Sequence, residues 1–176
     1  LKHMVPQVKN VYHVQHPSSK YHRSNQSSLK SLLLLLSCYT KELPENQFQF
    51  WEERYLEDAA GWDLGGHTPV FDSIADELTP GKLCIIGCGR GHDVIMFAKK
   101  GFKVTAVDFA PSAIHSVKNL AAESNVIVQT VYSDIFQLDG GFTNEFDYII
   151  EQTCFCAINP ANRNKYETLV KRLLIP

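Results

Sequence analysis

The stretch Leu83-Cys84-Ile85-Ile86-Gly87-Cys88-Gly89-Arg90-Gly91-His92-Asp93, followed after a helical segment by Val104-Thr105-Ala106-Val107-Asp108, decides the fold. An apolar run ends in three glycines at alternate positions, and a second apolar run ends in a carboxylate 21 residues after the first glycine. This is the layout of a strand, a tight turn, a helix and a second parallel strand, a unit that holds an adenosine-containing ligand at its turn. Gly87 and Gly89 allow a sharp turn and a close approach of backbone to ligand, because a Cβ there would intrude. Asp108, expected at the carboxyl end of the second strand, is placed to take both ribose hydroxyls on its two oxygens. The plainer alternative is a βαβ unit whose glycines do no more than turn the chain.

One position selects among adenosine ligands. A dinucleotide fingerprint reads G-x-G-x-x-G and would place its third glycine at position 92, where this chain has His92. Here the third glycine is Gly91, giving G-x-G-x-G. That spacing resembles motif I of the class I S-adenosylmethionine (SAM) dependent methyltransferases.

Outward from this unit the chain alternates helices and strands. Thr68-Pro69 reads as an N-cap and first-turn pair, with Phe71, Ile74, Ala75 and Leu78 on one helical stripe behind it. Pro80-Gly81 stops that helix and feeds the first strand. Val94, Ile95, Phe97 and Ala98 bury the helix after the glycines, and Pro111 opens another to about Ala122. Val126 to Tyr132 reads as the third strand, Phe146 to Ile150 as the fourth, and Asn159-Pro160 opens a last helix bearing Tyr166, Leu169, Val170 and Leu173. The expected fold is α/β: a Rossmann-like, doubly wound, mainly parallel sheet with helices on both faces. A complete class I methyltransferase continues with further C-terminal strands, which this sequence is expected to lack. The fourth strand would then lie at an open edge, where association is favoured; the sequence itself sets no oligomeric state.

Composition narrows the class. The 176 residues suit one domain with a sizeable core, and 44% apolar with 20% charged residues is ordinary for a soluble globular chain. A formal net charge of -2 offers no basic stripe and argues against a nucleic-acid partner. Cys38, Cys84, Cys88, Cys154 and Cys156 form no even, secreted-style framework; their C-x3-C and C-x-C spacings suit zinc poorly and buried free thiols of a cytoplasmic protein well. Residues 1 to 28, rich in serine and proline, are expected to be a disordered or tag-like tract, with Lys2-His3-Met4 resembling a cloning remnant; 29 to 176 form the ligand-binding domain. Leu32 to Leu36 is too short to span a bilayer, so no membrane segment is expected.

Pro44 opens a helical stretch to about Ala60 in which Phe48, Trp51 and Tyr55 share a face. Such a stripe is commonly core. Yet Trp51 and Trp62, the only two tryptophans, flank the glycine-rich Gly61-Trp62-Asp63-Leu64-Gly65-Gly66 loop just upstream of the nucleotide unit. An aromatic loop beside a sulfonium serves cation–π attraction and exclusion of water.

Four segments together resemble the thiopurine S-methyltransferase family, which includes thiol, thiocyanate and halide methyltransferases. They are Phe50-Trp51-Glu52-Glu53-Arg54-Tyr55, Gly61-Trp62-Asp63, Gly87 to Asp93, and Glu151-Gln152-Thr153-Cys154-Phe155-Cys156-Ala157-Ile158. The resemblance spans roughly residues 48 to 174. It implies that Trp51 and Trp62 cover SAM, that Gly87, Cys88 and Gly89 line its methionine part, and that Asp108, with Phe109 beside it, holds the ribose. Asp134, followed by Ile135, would accept from the adenine amino group; a turn or helix cap is the other reading of that carboxylate. Glu151, Gln152 and Thr153 would face the sulfonium and the incoming nucleophile, with Glu151 also touching the cofactor. Ile85 departs from the acidic residue that many class I enzymes carry at this place.

The implied activity is methyl transfer from SAM to a small soft nucleophile: a thiol, thiopurine, thiocyanate, halide, or selenium or tellurium anion. Such an acceptor is already deprotonated and needs no strong base. Cys154 and Cys156 lack a nearby activating His in sequence, and Arg90 is either a solvated turn residue or an attractant for an anionic acceptor. Two alternatives share the pocket. One is a non-catalytic SAM-binding or scaffold protein; the other, a nicotinamide-dependent oxidoreductase, is disfavoured by His92.

Overall fold

Along the first strand of the nucleotide unit, alternate side chains enter opposite cores, as the two-residue period of a strand requires. Leu83 and Ile85 pack with Phe71, Val94, Phe97 and Val117 on one face of the sheet. Cys84 and Ile86 pack with Tyr166, Leu169, Val170 and Leu173 on the other. Both faces are covered by helices, so the central strands are near-continuous apolar runs rather than alternating ones.

The structure is a computed structural model that describes residues 11–14, 48–138 and 140–176. In chain order its elements are β1 (Val11–Val14), α1 (Phe48–Leu56), α2 (Pro69–Glu77), β2 (Lys82–Ile86), α3 (His92–Lys99), β3 (Lys103–Asp108), α4 (Pro111–Glu123), β4 (Gln129–Tyr132), β5 (Tyr148–Gln152), α5 (Cys154–Ala157) and α6 (Arg163–Leu173), with short 3-10 turns between several of them. Among the described residues five strands form one sheet in the order β1-β5-β2-β3-β4, with every pairing parallel. From β2 the chain winds through β3 to β4 on one side, then crosses back to β5 on the other. The strand order thus reverses between β2 and β5, and the crevice beyond the carboxyl ends of those strands is where such sheets bind ligands. The expected doubly wound parallel α/β fold is what forms.

Three expectations change. Residues 1 to 28 are not all without structure: Val11–Val14 form a strand, paired Val11↔Ile149 and Tyr12↔Ile150 along β5. The cause is pairing with β5: a valine and an aromatic fit a pleated surface, and Val11 and Tyr12 each reach one of the two cores. In consequence β5 does not lie at an open edge. The third strand begins at Gln129 rather than Val126, since pairing with β3 starts at Thr105↔Gln129 and leaves Ile127 95% exposed. The leucine run 32–36, Cys38 and the expected start of the aromatic helix at Pro44 lie outside the described residues. No helix among the described residues is long and apolar enough to cross a membrane.

Candidate active site

The turn after β2 is built from backbone that only glycine adopts without strain. Gly87, Gly89 and Gly91 have φ of 63°, 54° and 92°. At Gly87 space is also limiting, because a Cβ would lie 2.9 Å from both Cβ and Sγ of Cys154, at the start of α5. At Gly91 a Cβ would lie 2.7 Å from Cγ2 of Val117 on α4. Glycines therefore bring the turn against the elements that follow β5 and β3 at once. The N–H of Cys88 donates to Val107 O at 3.1 Å, holding the turn along β3.

Asp108 ends β3 inside this turn. Its Oδ2 accepts from Gly89 N at 3.0 Å and its Oδ1 from Ala110 N at 2.9 Å. The residue is 6% exposed, and burial pushes the carboxyl up from its ordinary 3.8 to about 6, with the backbone N–H groups of Ala110, Gly89 and Phe109 opposing that rise and Glu52 adding to it. Phe109 is half-buried beside it.

The aromatic stripe is both packing and wall. Trp51 and Trp62 meet edge to face at 5.1 Å, and Tyr55 meets Trp62 at 5.7 Å. They gather on Tyr55, Ala60, Ala110 and Ala113, yet both tryptophans stay only partly buried. The small alanines at the start of α4 leave the room that the rings fill. Helix α1 is fastened there by Glu52, whose carboxylate accepts from Ser112 N at 2.9 Å and from Ser112 Oγ at 2.6 Å. The N-cap position of α4 is Ala110, which has no capping side chain, so Glu52 supplies an acceptor and a negative charge from another helix.

On the far side of the crevice, β5 runs into a strained corner. Thr153 sits at φ 61°, ψ 0°, a left-handed conformation that a β-branched residue adopts at a cost of roughly 1–3 kcal/mol. Its Oγ1 donates to Gln152 O at 2.7 Å, and Cys156 Sγ donates to its carbonyl at 2.9 Å. Gln152 Nε2 reaches Trp62 O at 3.5 Å, a long contact that spans from β5 to the aromatic loop. Glu151 is 1% exposed, and its Oε2 accepts from Phe155 N at 2.7 Å, so the carboxylate holds the α5 corner. Burial pushes the Cys154 thiol up, with Glu151 adding to it, which keeps the thiol protonated.

Asp134 lies at the N-terminus of the 3-10 turn Ile135–Gln137, where Oδ1 accepts from Phe136 N at 2.9 Å. The cap reading of this carboxylate is therefore realised. The turn is tied to the Asp108 region because Ser133 N donates to Asp108 O at 3.0 Å. Thr68 occupies the N-cap of α2 but caps nothing with its side chain; its N–H and hydroxyl both donate to Asp93 on α3. Cys84 and Cys88 are buried as expected, whereas Cys156 is exposed.

Sequence reasoning gave no role to Glu52 and Asp63 and did not foresee the partners of Arg90. The Arg90 side chain is 29% exposed, and its guanidinium is engaged by carboxylates of the chain itself: Nε pairs with Asp63 Oδ2 at 2.8 Å and Nη2 with Asp58 Oδ1 at 2.7 Å. Glu52 did leave a signal, since a helix opening Ala110-Pro111-Ser112 needs an acceptor from elsewhere. The Arg90 pairs span loops and left none.

Comparison with known proteins agrees with this geometry. The family model for thiopurine S-methyltransferase matches residues 46–176. The chain is 30% identical over 159 residues to a probable thiol methyltransferase 2 of Arabidopsis thaliana, covering 86% of this chain and 68% of that protein. It is 31% identical over 130 residues to thiocyanate methyltransferase 1 of the same plant, covering 72% of this chain but 56% of that enzyme. Among solved structures, the 1,6-didemethyltoxoflavin-N1-methyltransferase of Burkholderia thailandensis, with 1,6-didemethyltoxoflavin and S-adenosylhomocysteine bound, aligns with a TM-score of 0.63. Its identity of 22%, over 88% of this chain and 63% of that one, speaks for the fold. The chain belongs to the thiopurine S-methyltransferase family of SAM-dependent methyltransferases.

Proposed function

We propose that this chain binds SAM in the crevice between β2 and β5 and transfers its methyl group to a small soft nucleophile. One observation carries the reading: the Asp108 carboxylate is pinned to the glycine turn, and a partly buried, edge-to-face tryptophan pair packs against Ala110 and Ala113, which follow it at the start of α4. The residues fit the cofactor, because Gly87, Gly89 and Gly91 hold a tight left-handed turn whose Gly89 N–H is bonded to a carboxylate able to accept from hydroxyls. When bound, SAM supplies a sulfonium whose methyl is open to in-line displacement.

In this reading Asp108, with Phe109 beside it, holds the ribose, and the backbone of Gly87, Cys88 and Gly89 lines the methionine part. Asp134 and Ile135 border the adenine. The Asp134 cap through Oδ1 orients its carboxylate for that task. Trp51 and Trp62 face the positive charge and keep water out, which favours a reaction in which that charge is neutralised. Gln152 and Thr153 flank the acceptor, and Glu151 holds the corner that aims them. Catalysis then rests on orientation and on a dry, aromatic wall rather than on a base.

The acceptor class follows from that chemistry together with the thiol and thiocyanate methyltransferase relatives. The test is a panel of acceptors with methyl-labelled SAM: aromatic thiols, thiocyanate and iodide against phenols and amines. Label should reach the sulfur and halide acceptors. Transfer only to oxygen or nitrogen would overturn the acceptor assignment, and SAM binding without transfer to any acceptor would leave a SAM-binding protein.

A further inference from the structure

We infer that Arg90 is a positioning residue: its ion pair with Asp63 straps the tryptophan loop down over the glycine turn and thereby sets cofactor affinity. This rests on the SAM pocket proposed above. Arg90 lies inside the turn itself, between Gly89 and Gly91, and its own carbonyl accepts from Ser116 Oγ on α4 at 2.9 Å. Its backbone is therefore fixed to α4 while its side chain reaches out to the cover.

The reach is to three points on the aromatic segment. Nε meets Asp63 Oδ2 at 2.8 Å, Nη2 meets the carbonyl of Tyr55 at 3.3 Å and Asp58 Oδ1 at 2.7 Å, and the guanidinium lies 5.8 Å from the Tyr55 ring. Asp63 follows Trp62 directly, so whatever holds Asp63 places the indole. Its second oxygen accepts from Gly65 N at 2.9 Å, with His92 Nε2 at 3.6 Å, so the carboxylate organises the loop on one side and binds the turn on the other.

Burial separates the two ion pairs. The Arg90 and Asp63 side chains are 29% and 18% exposed, whereas Asp58 is 93% exposed. A pair at that depth is screened little, while the Asp58 pair is a surface contact of small worth. The loop needs such a tether. Its glycines, Gly61, Gly65 and Gly66, have no atoms near where a Cβ would stand, and across the crevice it has the 3.5 Å contact from Gln152.

The planar fork of arginine makes the three contacts together, and a lysine ammonium would make one of them. An ordering from wild type through Arg90→Lys to Arg90→Ala follows.

The test uses S-adenosylhomocysteine titrations of the whole chain and acrylamide quenching of tryptophan fluorescence without ligand. Arg90→Ala and the isosteric Asp63→Asn should each weaken S-adenosylhomocysteine by about tenfold or more, with Arg90→Lys between them and wild type. Both should raise acrylamide quenching, and Asp58→Asn should stay within about twofold of wild type. In steady state the KM for SAM should rise while kcat at saturating SAM holds. Unchanged affinity and unchanged quenching in Asp63→Asn, a substitution that preserves shape, would overturn the strap. Failure of wild type to bind the ligand would overturn the pocket instead, and the quenching comparison still decides the strap.

Discussion

The carboxylate of Asp108 accepts a hydrogen bond from the backbone N–H of Gly89 at 3.0 Å, joining the end of β3 to the turn that follows β2. Ala110 N binds the other oxygen. In the proposed reading the ribose site is thus formed before any ligand arrives, at the cost of burying a carboxylate that burial drives toward its protonated form. Folding and binding pull on this residue in opposite directions, and that tension can be measured.

Asp108→Asn preserves shape, removes the charge and replaces one acceptor oxygen with a donor that cannot accept from Gly89 N or Ala110 N. S-adenosylhomocysteine should bind about 10- to 100-fold more weakly, read by calorimetric titration, since hydrogen bonds to a charged group contribute roughly 1.5–3 kcal/mol.

The pH dependence has a defined sign. The folded carboxyl titrates at about 6 and the unfolded one near 3.8, so between those values the folded state holds more protons. Folding stability from this group therefore falls as pH rises from about 4 to about 6 and is level above that. Ligand affinity moves the other way: a carboxylate that accepts from the ribose must be ionised, so the Kd for S-adenosylhomocysteine should rise about tenfold per pH unit below about 6. Asp108→Asn should flatten this profile.

Glu52 couples the tryptophan helix to α4 through Ser112. Glu52→Ala should lower stability by about 1 kcal/mol, the scale of a lost helix cap. Hydrogen exchange should quicken in residues 48–56 more than in β2 or β3. Equal quickening everywhere would mean that Glu52 acts only on global stability.

Thr153 offers a separation of strain from contact. Thr153→Gly relieves the left-handed backbone but gives up chain entropy and the bond from Oγ1, and should stay within about 1 kcal/mol of wild type in thermal unfolding. Thr153→Val keeps the strain and loses the bond, and should be the less stable of the two. If the corner aims the acceptor, both should raise the acceptor KM with little change in the KM for SAM.

The nucleotide unit was legible because its information is local: apolar runs, alternate glycines and one carboxylate in register fix β2, α3 and β3 within a residue or so. Legibility failed where an element depends on distant partners. Val11–Val14 is four residues long and exists as a strand through β5, 138 positions away at Val11↔Ile149. Asp63 and Arg90 are 27 positions apart on two loops, and no periodicity marks their pairing. Asp134 and Glu151 read as site carboxylates, and the structure shows each already accepting from a backbone N–H, of Phe136 and Phe155.

The most direct measurement of the SAM pocket is tryptophan fluorescence during titration with S-adenosylhomocysteine. Trp51 and Trp62 are the only tryptophans in the chain and stand against each other beside Ala110 and Ala113, so in the proposed reading binding should quench or shift nearly the whole emission in a saturable way. A folded protein whose emission does not change across the titration, with no heat of binding, would contradict the pocket.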